Sequence, residues 1–152
     1  MTSFATLTLE VDLDESLPIG PGPDGHRGVA FITGGRLEGE RIAATVLGGE
    51  DWFVRRADGT LAIDVRLTLH TDDDAFVTLA YTGELTGTAE ALAALGRGEQ
   101  MRSGSHTIRI EAVIGCGDER YAWLDGVALT GSGEQTPDGP VYHLSFADGA
   151  TR

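Results

Sequence analysis

The residues of this sequence that could do chemistry lie on short alternating stretches, of which Leu61–His70 is the clearest. Asp64 and Arg66 share the polar side of this stretch, opposite a row of aliphatic residues. Strict alternation is typical of a β-strand with two unlike faces. If the polar face points into a pocket, Asp64 can move a proton and Arg66 can stabilise an enolate or a carboxylate. If it points to water, the two residues serve solubility or form a structural ion pair.

A second acid and arginine repeat this arrangement later in the chain. Arg109 and Glu111 alternate with isoleucine and alanine on the stretch Ser105–Ile114. Two such pairs could fill a barrel interior with mutually satisfied charge, and two buried acids could acquire the separated pKa values that an acid/base pair requires. We therefore predict that both pairs are catalytic.

Large side chains on the expected strands could shape a ligand site. Trp52, Tyr81, Tyr121 and Trp123 could form aromatic walls for a flat or apolar ligand, although aromatic residues also pack ordinary cores. Asp51 follows a glycine turn at a strand start, where a position on the rim of a pocket is plausible. We predict that these five residues bind the ligand.

Metal and cofactor chemistry are disfavoured. His70, His106 and His143 show neither HxH nor HxxxH spacing, so no metal site is expected. No lysine is present, which excludes Schiff-base chemistry. The sequence also lacks a GxSxG elbow, a phosphate-binding P-loop and a dinucleotide fingerprint. We expect a protein that needs no cofactor.

Composition narrows the partners and the compartment. The formal net charge is −13, which disfavours binding to nucleic acid. No apolar run approaches the roughly 20 residues that cross a bilayer, and no signal peptide is visible. Cys116 is the single cysteine, so no intramolecular disulfide can form. These features predict a cytoplasmic protein that binds neither membranes nor nucleic acid.

The elements that must position these residues are almost all strands. Alternation and turn residues predict strands at Phe4–Leu13, Gly28–Thr33, Arg41–Leu47, Asp51–Arg56, Leu61–His70, Ala75–Glu84, Ser105–Ile114, Arg120–Thr130 and Val141–Phe146. Loops are predicted at Leu17–Arg27 and Gly131–Pro140, and a helix at Thr88–Gly96. About eight antiparallel strands of this kind close into a meander barrel, which removes exposed edges. We therefore predict one all-β domain over residues 1–152, with a β-sandwich as the alternative.

Several short motifs resemble a bacterial family known as domain of unknown function 3237. They are Thr33-Gly34-Gly35, Glu38-Gly39, Gly48-Gly49-Glu50-Asp51-Trp52, Asp58-Gly59, Asp64-Val65-Arg66, Thr71-Asp72-Asp73 and, most specifically, Gly117-Asp118-Glu119-Arg120-Tyr121-Ala122-Trp123-Leu124. The resemblance implies a barrel of the allene oxide cyclase type. It implies little about activity, because a fold does not fix a function.

The chain departs from the family pattern just before Gly117. The resemblance leads us to expect a proline and an acidic residue there, where this chain has Ala112 and Gly115, and Asp125 stands where an asparagine is usual. Either Glu111 replaces the missing acid or the chemistry differs.

The sequence thus predicts a barrel that encloses a small apolar or aromatic molecule. The first hypothesis is a cofactor-independent cyclase, isomerase or related proton-transfer or lyase enzyme. The second is a non-catalytic carrier or sensor, and the third is a structural subunit with a filled interior. Barrel exteriors and the fold analogy also favour a homo-oligomer, a dimer or larger.

Overall fold

Eight antiparallel strands close into a single barrel in the computed structural model, which describes residues 2–147, and Leu13 by its backbone alone. Met1 and residues 148–152 of the expected domain lie outside the described residues. The strands are β1 Ser3–Gly22, β2 Gly25–Gly39, β3 Ala43–Arg55, β4 Leu61–Thr71, β5 Phe76–Gly87, β6 His106–Gly115, β7 Ala128–Thr136 and β8 Gly139–Phe146. A helix, α1 (Ala89–Gly96), follows β5, and a 3₁₀ helix (Glu119–Tyr121) precedes β7. The predicted closed meander is confirmed.

The strand order follows the chain, and β1 pairs with β8 to complete the ring. Closure leaves no strand edge along the paired part of the wall, so backbone donors and acceptors are satisfied between neighbours. Within residues 2–147, no helix combines the length and the apolar character needed to cross a lipid bilayer.

The pleat of β4 shows which face points inward. Ile63, Val65, Leu67 and Leu69 are buried in the lumen, whereas the residues between them are exposed on the outer wall. Burying one aliphatic side chain contributes about 1.5–3 kcal/mol, while an unpaired charge in the same place would cost several. The aliphatic row therefore determines the orientation of the strand.

A glycine bulge in β3 changes which residues face inward. Before the bulge, Val46 is buried and pairs with Leu69; the register then shifts at Gly48, which has a φ of +151°. After the bulge, Asp51 pairs with the inward-facing Val65, so Asp51 points into the lumen and Trp52 points out. The predicted turn at Gly48–Glu50 is therefore wrong, because the strand continues through it. Bulges commonly re-aim side chains in this way.

Other predicted boundaries are also wrong. The predicted loops Leu17–Arg27 and Gly131–Pro140 form the paired hairpins of β1 with β2 and of β7 with β8. Prolines are tolerated near the tip of the first hairpin because a strand with a free edge does not need every N–H. The segment from Arg120 starts as a 3₁₀ helix, and its strand begins only at Ala128.

The motif Gly117–Leu124 closes one end of the barrel. The Tyr121 hydroxyl donates to the Asp73 carboxylate, with both oxygens at 2.9 Å, and this ties the 3₁₀ helix to the β4–β5 turn. Leu124 is completely buried beneath it. At the opposite end lies α1, capped by the Thr88 side chain. We call these the closed end and the open end.

We predict that Leu124→Ala lowers the free energy of unfolding by about 2–5 kcal/mol, because it leaves a cavity under the closed end. Denaturant unfolding followed by circular dichroism measures the change. The matched control is Leu47→Ala, since Leu47 is 52% exposed on the outer wall. Equal losses for the two variants would contradict a structural role for the closed end.

Candidate functional site

The open end of the barrel contains a cavity of about 490 Å³. Strands β1 to β5, the segment after α1 and the β7–β8 hairpin all contribute to its walls. Ile32, Val65 and Leu85 supply apolar surface, Asp51 projects from β3 and Tyr81 from β5, and further polar residues come from β1, β3, β7 and the segment after α1. The volume lies in the range of small-molecule sites, which are also mostly apolar with a few polar groups.

Asp51 is the acid of the cavity that lies on the inward face of β3; Asp14 and Glu99 are the other two acids in the lining. It lies in one row of inward-facing residues with Ala30 on β2 and Val65 on β4. The backbone N–H of Asp64 donates to its Oδ1 at 3.2 Å. Burial raises the pKa of Asp51 to about 7; the Asp64 amide opposes this shift and the Asp64 carboxylate adds to it. The carboxyl group can therefore both release and take up a proton near neutral pH.

Two tyrosines meet behind the cavity. The Tyr81 hydroxyl donates to the Tyr142 hydroxyl at 3.3 Å, and the rings pack edge to face with centroids 5.3 Å apart. Tyr81 lines the cavity, while Tyr142 is 1% exposed. Burial, with the nearby Asp51 carboxylate as a lesser cause, raises the pKa of both phenols above the usual value, so both stay protonated. The pair is a neutral hydrogen-bonding group close to Asp51.

Phe53 and Arg55 continue the inward face of β3 from Asp51 towards the mouth of the cavity. The Phe53 ring lies directly against Gly28, where an added Cβ would clash with the ring. Arg55 extends towards α1, with its Nη1 atom 3.7 Å from the Cβ position of Gly96. One strand thus places an acid, an aromatic ring and a cation along one wall.

The structure shows that three of these residues were missed by sequence reasoning. Phe53 and Arg55 follow Asp51 at period two within the predicted strand Asp51–Arg56, which was the signal available. Tyr142 likewise alternates with Leu144 and Phe146 in the last strand. In each case the sequence shows a shared face but does not show which face is inward.

The four predicted catalytic residues do not face the lumen. Asp64, Arg66, Arg109 and Glu111 are all exposed on the outer wall of β4 and β6. The prediction that they form an enclosed active centre is wrong, because the aliphatic residues between them fill the interior. Glu111 for the same reason cannot replace, inside the barrel, the acid expected before Gly117.

The five predicted ligand-binding residues divide between three places. Asp51 and Tyr81 line the open-end cavity. Trp52 is 64% exposed on the outer wall, where its Nε1–H donates to Glu50 at 3.2 Å. Tyr121 belongs to the closed end through its hydrogen bond to Asp73. The prediction that Trp52 and Tyr121 line one ligand pocket is therefore wrong.

Trp123 also lies away from the cavity. The Arg41 guanidinium stacks 3.5 Å from the centre of its ring, in the segment that closes the barrel after the 3₁₀ helix. A cation over an indole face is attracted by the ring quadrupole. Trp123 therefore packs the closed end, and its predicted place in the ligand wall is wrong.

The histidines are dispersed. His70 contacts Asp74 at 2.7 Å and stacks on Phe76, while the buried His106 accepts the backbone N–H of Gln135 at 2.9 Å. His143 is exposed on the outer wall. Among residues 2–147 no group of three histidine, cysteine or acidic side chains converges in a way that could hold a metal ion.

The fold and the cavity define a class of small closed antiparallel barrels with an acid-bearing cavity at one open end. The family model described as "Protein of unknown function (DUF3237)" matches residues 2–146. The chain belongs to this family.

Similar proteins share the barrel along most of the chain. UPF0311 protein RPA1785 of Rhodopseudomonas palustris is 29% identical over 121 residues, which cover 79% of this chain and 79% of that protein. Its crystal structure has a TM-score of 0.84 at 25% identity, covering 94% of this chain and 93% of that chain.

Two further solved structures are similar. A beta-barrel like protein from Acinetobacter baumannii AYE has a TM-score of 0.80 at 26% identity, covering 94% of this chain and 92% of that one. An enzyme from Penicillium herquei has a TM-score of 0.66 at 17% identity, with coverage of 94% and 92%. At that identity the second likeness concerns the fold alone.

We predict that Asp51→Asn changes how stability depends on pH. The pKa of Asp51 rises from 3.8 to about 7 on folding, so the folded state holds the proton more tightly than the unfolded state. The stabilisation of the folded state by this proton is complete below about pH 4, is lost as the pH rises through 7, and does not return at higher pH. The asparagine variant has no titrating group at this position, so its stability does not fall in this pH range, and its Oδ1 still accepts a hydrogen bond from the Asp64 amide. Its advantage in free energy of unfolding should therefore grow between pH 4 and pH 7.

Denaturant unfolding of both proteins at several pH values measures this difference. Acids whose pKa is lowered, such as Asp73 and Asp118, act in the opposite direction but are common to both proteins. Glu111→Gln, on the exposed side of β6, is the control. Parallel curves for wild type and Asp51→Asn would contradict the raised pKa.

Proposed function

We propose that the protein is a cofactor-independent enzyme that catalyses proton transfer, as in an isomerisation or a cyclisation, on a small apolar or aromatic metabolite bound in the open-end cavity. The observation that carries this proposal is the half-buried carboxyl of Asp51, which faces inward beside Val65 and Tyr81 in the cavity and whose pKa burial raises to about 7.

Asp51 acts as the general base and then as the general acid. In its ionised form it takes a proton from an activated carbon of the substrate, and the protonated carboxyl then returns that proton to a second carbon. The reaction is balanced without any other reactant. An aspartate whose pKa is about 7 is a stronger base than an ordinary one and is still substantially ionised at neutral pH.

Tyr81 stabilises the negative charge that forms on the substrate. Its hydroxyl donates to Tyr142 in the free protein. In the complex the hydroxyl turns to donate to the enolate oxygen, and the neutral phenol supplies a hydrogen bond without adding a second charge near Asp51. Preorganised donors of this kind contribute strongly in a cavity with little water.

The shape of the cavity supports catalysis by confinement. The Tyr81–Tyr142 pair bounds the side that faces the barrel interior, and the lining holds a flexible ligand in one folded conformation, which lowers the entropic barrier to cyclisation. The same barrel serves an enzyme in Penicillium herquei, so the fold is compatible with catalysis.

The alternative is a carrier or sensor. The aliphatic lining would hold an apolar ligand equally well without any reaction. The two proposals differ in what happens to a bound molecule, and the next experiment separates them.

We predict that the wild type exchanges a carbon-bound proton of its ligand for deuterium in D₂O. Candidate carbon acids, such as aryl ketones and cyclic enones, are incubated with the protein and followed by proton NMR. Asp51→Asn should slow the exchange about 10²- to 10⁴-fold, because it removes the base. The rate should rise with pH and level off above about 7, as Asp51 ionises. Arg55, Asp14, Glu99 and the phenol of Tyr81 are the other charged or titratable groups that line the cavity.

Glu111→Gln is the matched control, because Glu111 is an acid on the outer wall of β6 and does not line the cavity. Saturable binding with neither exchange nor a new product would favour the carrier. Exchange that survives in Asp51→Asn would contradict Asp51 as the base.

We also predict that Tyr81→Phe lowers the rate of exchange about 10²-fold and leaves ligand binding within a few fold, because the hydrogen bond strengthens as charge develops. Tyr142→Phe should have a smaller effect, since Tyr142 lies behind Tyr81. The comparison is made by the same NMR assay, with titration calorimetry for binding. An equal loss of binding and rate in Tyr81→Phe would show a role in ground-state binding only.

The homo-oligomer stays a prediction. Leu17, Ile19 and Trp52 are large apolar residues exposed on the outer wall, and the register places Leu17 and Trp52 on either side of Val29. We propose this surface as the place where subunits associate.

A further inference from the structure

Arg55 lines the open-end cavity and, unlike the arginines nearest to it, has no acid partner. Arg56, the next residue, pairs with Glu84 at 3.2 Å, and Arg97 pairs with Glu99 at 2.9 Å. Among residues 2–147, no carboxylate oxygen lies within ion-pair distance of the Arg55 guanidinium. In a protein of net charge −13, an arginine without an acid partner beside a cavity calls for an explanation.

The position of Arg55 suggests what this cation does. Arg55 lines the open-end cavity near its mouth and is half-buried, so its charge is partly shielded from water. The nearby C-terminal end of α1 is a favourable location for a cation but gives no hydrogen bond to this guanidinium within the described residues. Its planar donors therefore remain available, in the geometry that matches a carboxylate.

The other charges around the cavity limit the ligand to one negative charge. Asp14 and Glu99 line the same mouth, and Glu99 is already bonded to Arg97. Arg55 is the one basic residue among the described residues that line the cavity. A phosphate dianion would leave one charge unpaired beside these acids, whereas a single carboxylate is balanced by one guanidinium.

The distance between Arg55 and Asp51 constrains the length of the ligand. The β2–β3 register is unbroken from Gly49 to Arg55, so the two residues are separated by four regular strand positions, roughly 13 Å between Cα atoms. Phe53 lies between them on the same inward face, with its ring against the backbone of Gly28. A ligand that reaches from one to the other must cross this aromatic surface with an apolar segment.

We propose that the cavity binds monocarboxylates whose carboxylate pairs with Arg55 at the mouth and whose apolar body passes Phe53, so that the reacting carbon lies near Asp51, about 10 Å further in. The assignment of the reacting end rests on the proposed function; the binding of the carboxylate does not. The substrate class is therefore an aryl- or alkyl-substituted acid in which the proton is transferred far from the carboxylate.

Binding of simple probes tests the proposal without knowledge of the substrate. Phenylalkanoates, from phenylacetate to 6-phenylhexanoate, and the matched primary amides are titrated by calorimetry at pH 7.5. Wild type should bind the longer carboxylates about 10- to 100-fold more tightly than their amides, since each amide lacks the charge that Arg55 pairs. Affinity should increase with chain length as the ring passes Phe53.

Three variants locate the interaction. Arg55→Gln should remove the preference for the carboxylate and leave the affinity for the amide unchanged. Arg55→Lys should keep part of the preference, because it retains the charge but not the two-pronged geometry. Arg109→Gln, an exposed arginine on the outer wall, should behave as wild type. Circular dichroism confirms that each variant is folded.

The failure of this proposal can be distinguished from the failure of the proposed function. Asp51→Asn should bind the carboxylates at least as well as wild type, because it removes a negative charge from the cavity. If it abolishes deuterium exchange while Arg55→Gln keeps the carboxylate preference, the proposed function stands and the Arg55 site is overturned. Equal affinity of wild type for acids and amides, or no saturable binding of any phenylalkanoate, would also overturn it.

Discussion

The exclusion of charge from the lumen is the constraint on which the rest of this structure depends. Ile63, Val65, Leu67 and Leu69 fill the interior beside β4, and the closed end adds Leu124 beneath a 3₁₀ helix held to Asp73 by Tyr121. Once this row is buried, period-two alternation forces every polar residue between its members to the outside. An inward-facing carboxyl is possible only where the packing is incomplete, and that place is the open end.

Asp51 meets this constraint at a cost in stability. Burial of its carboxyl raises the pKa to about 7, and the Asp64 amide offsets only part of the penalty. A group that destabilises the charged folded state near neutral pH is typical of a functional site rather than of a structural one. The neighbouring tyrosines keep their own protons at neutral pH, so the group of this cluster that titrates near pH 7 is the Asp51 carboxyl.

The architecture could be predicted from sequence much more completely than the site. Strands such as Leu61–His70 alternate so regularly that the barrel follows from their number and spacing. Alternation alone does not say which face is inward. The predicted inward position of Asp64, Arg66, Arg109 and Glu111 is wrong, because burial of the aliphatic row decides the orientation of these strands. The sequence predicts a ligand-binding role for Asp51 and Tyr81, and both residues line the cavity. A role for Phe53, Arg55 and Tyr142 could not be predicted without the barrel register, since their neighbours in space come from strands that are distant in sequence.

The bulge at Gly48 has a consequence for how such barrels diverge. Leu47 and Gly48 together oppose Thr68, and this extra backbone residue exchanges the two faces of everything that follows in β3. A regular strand of the same sequence would send the Trp52 indole inward and the Asp51 carboxyl out to solvent, whereas deleting Leu47 or Gly48 would remove the bulge and keep Asp51 inside. Members of the family with the same strand length, with and without the bulge, would thus differ in whether the acid faces the lumen, without any substitution at position 51. An alignment that matches residues by identity alone would overlook this difference, so homologues are better compared by which side chains face the lumen.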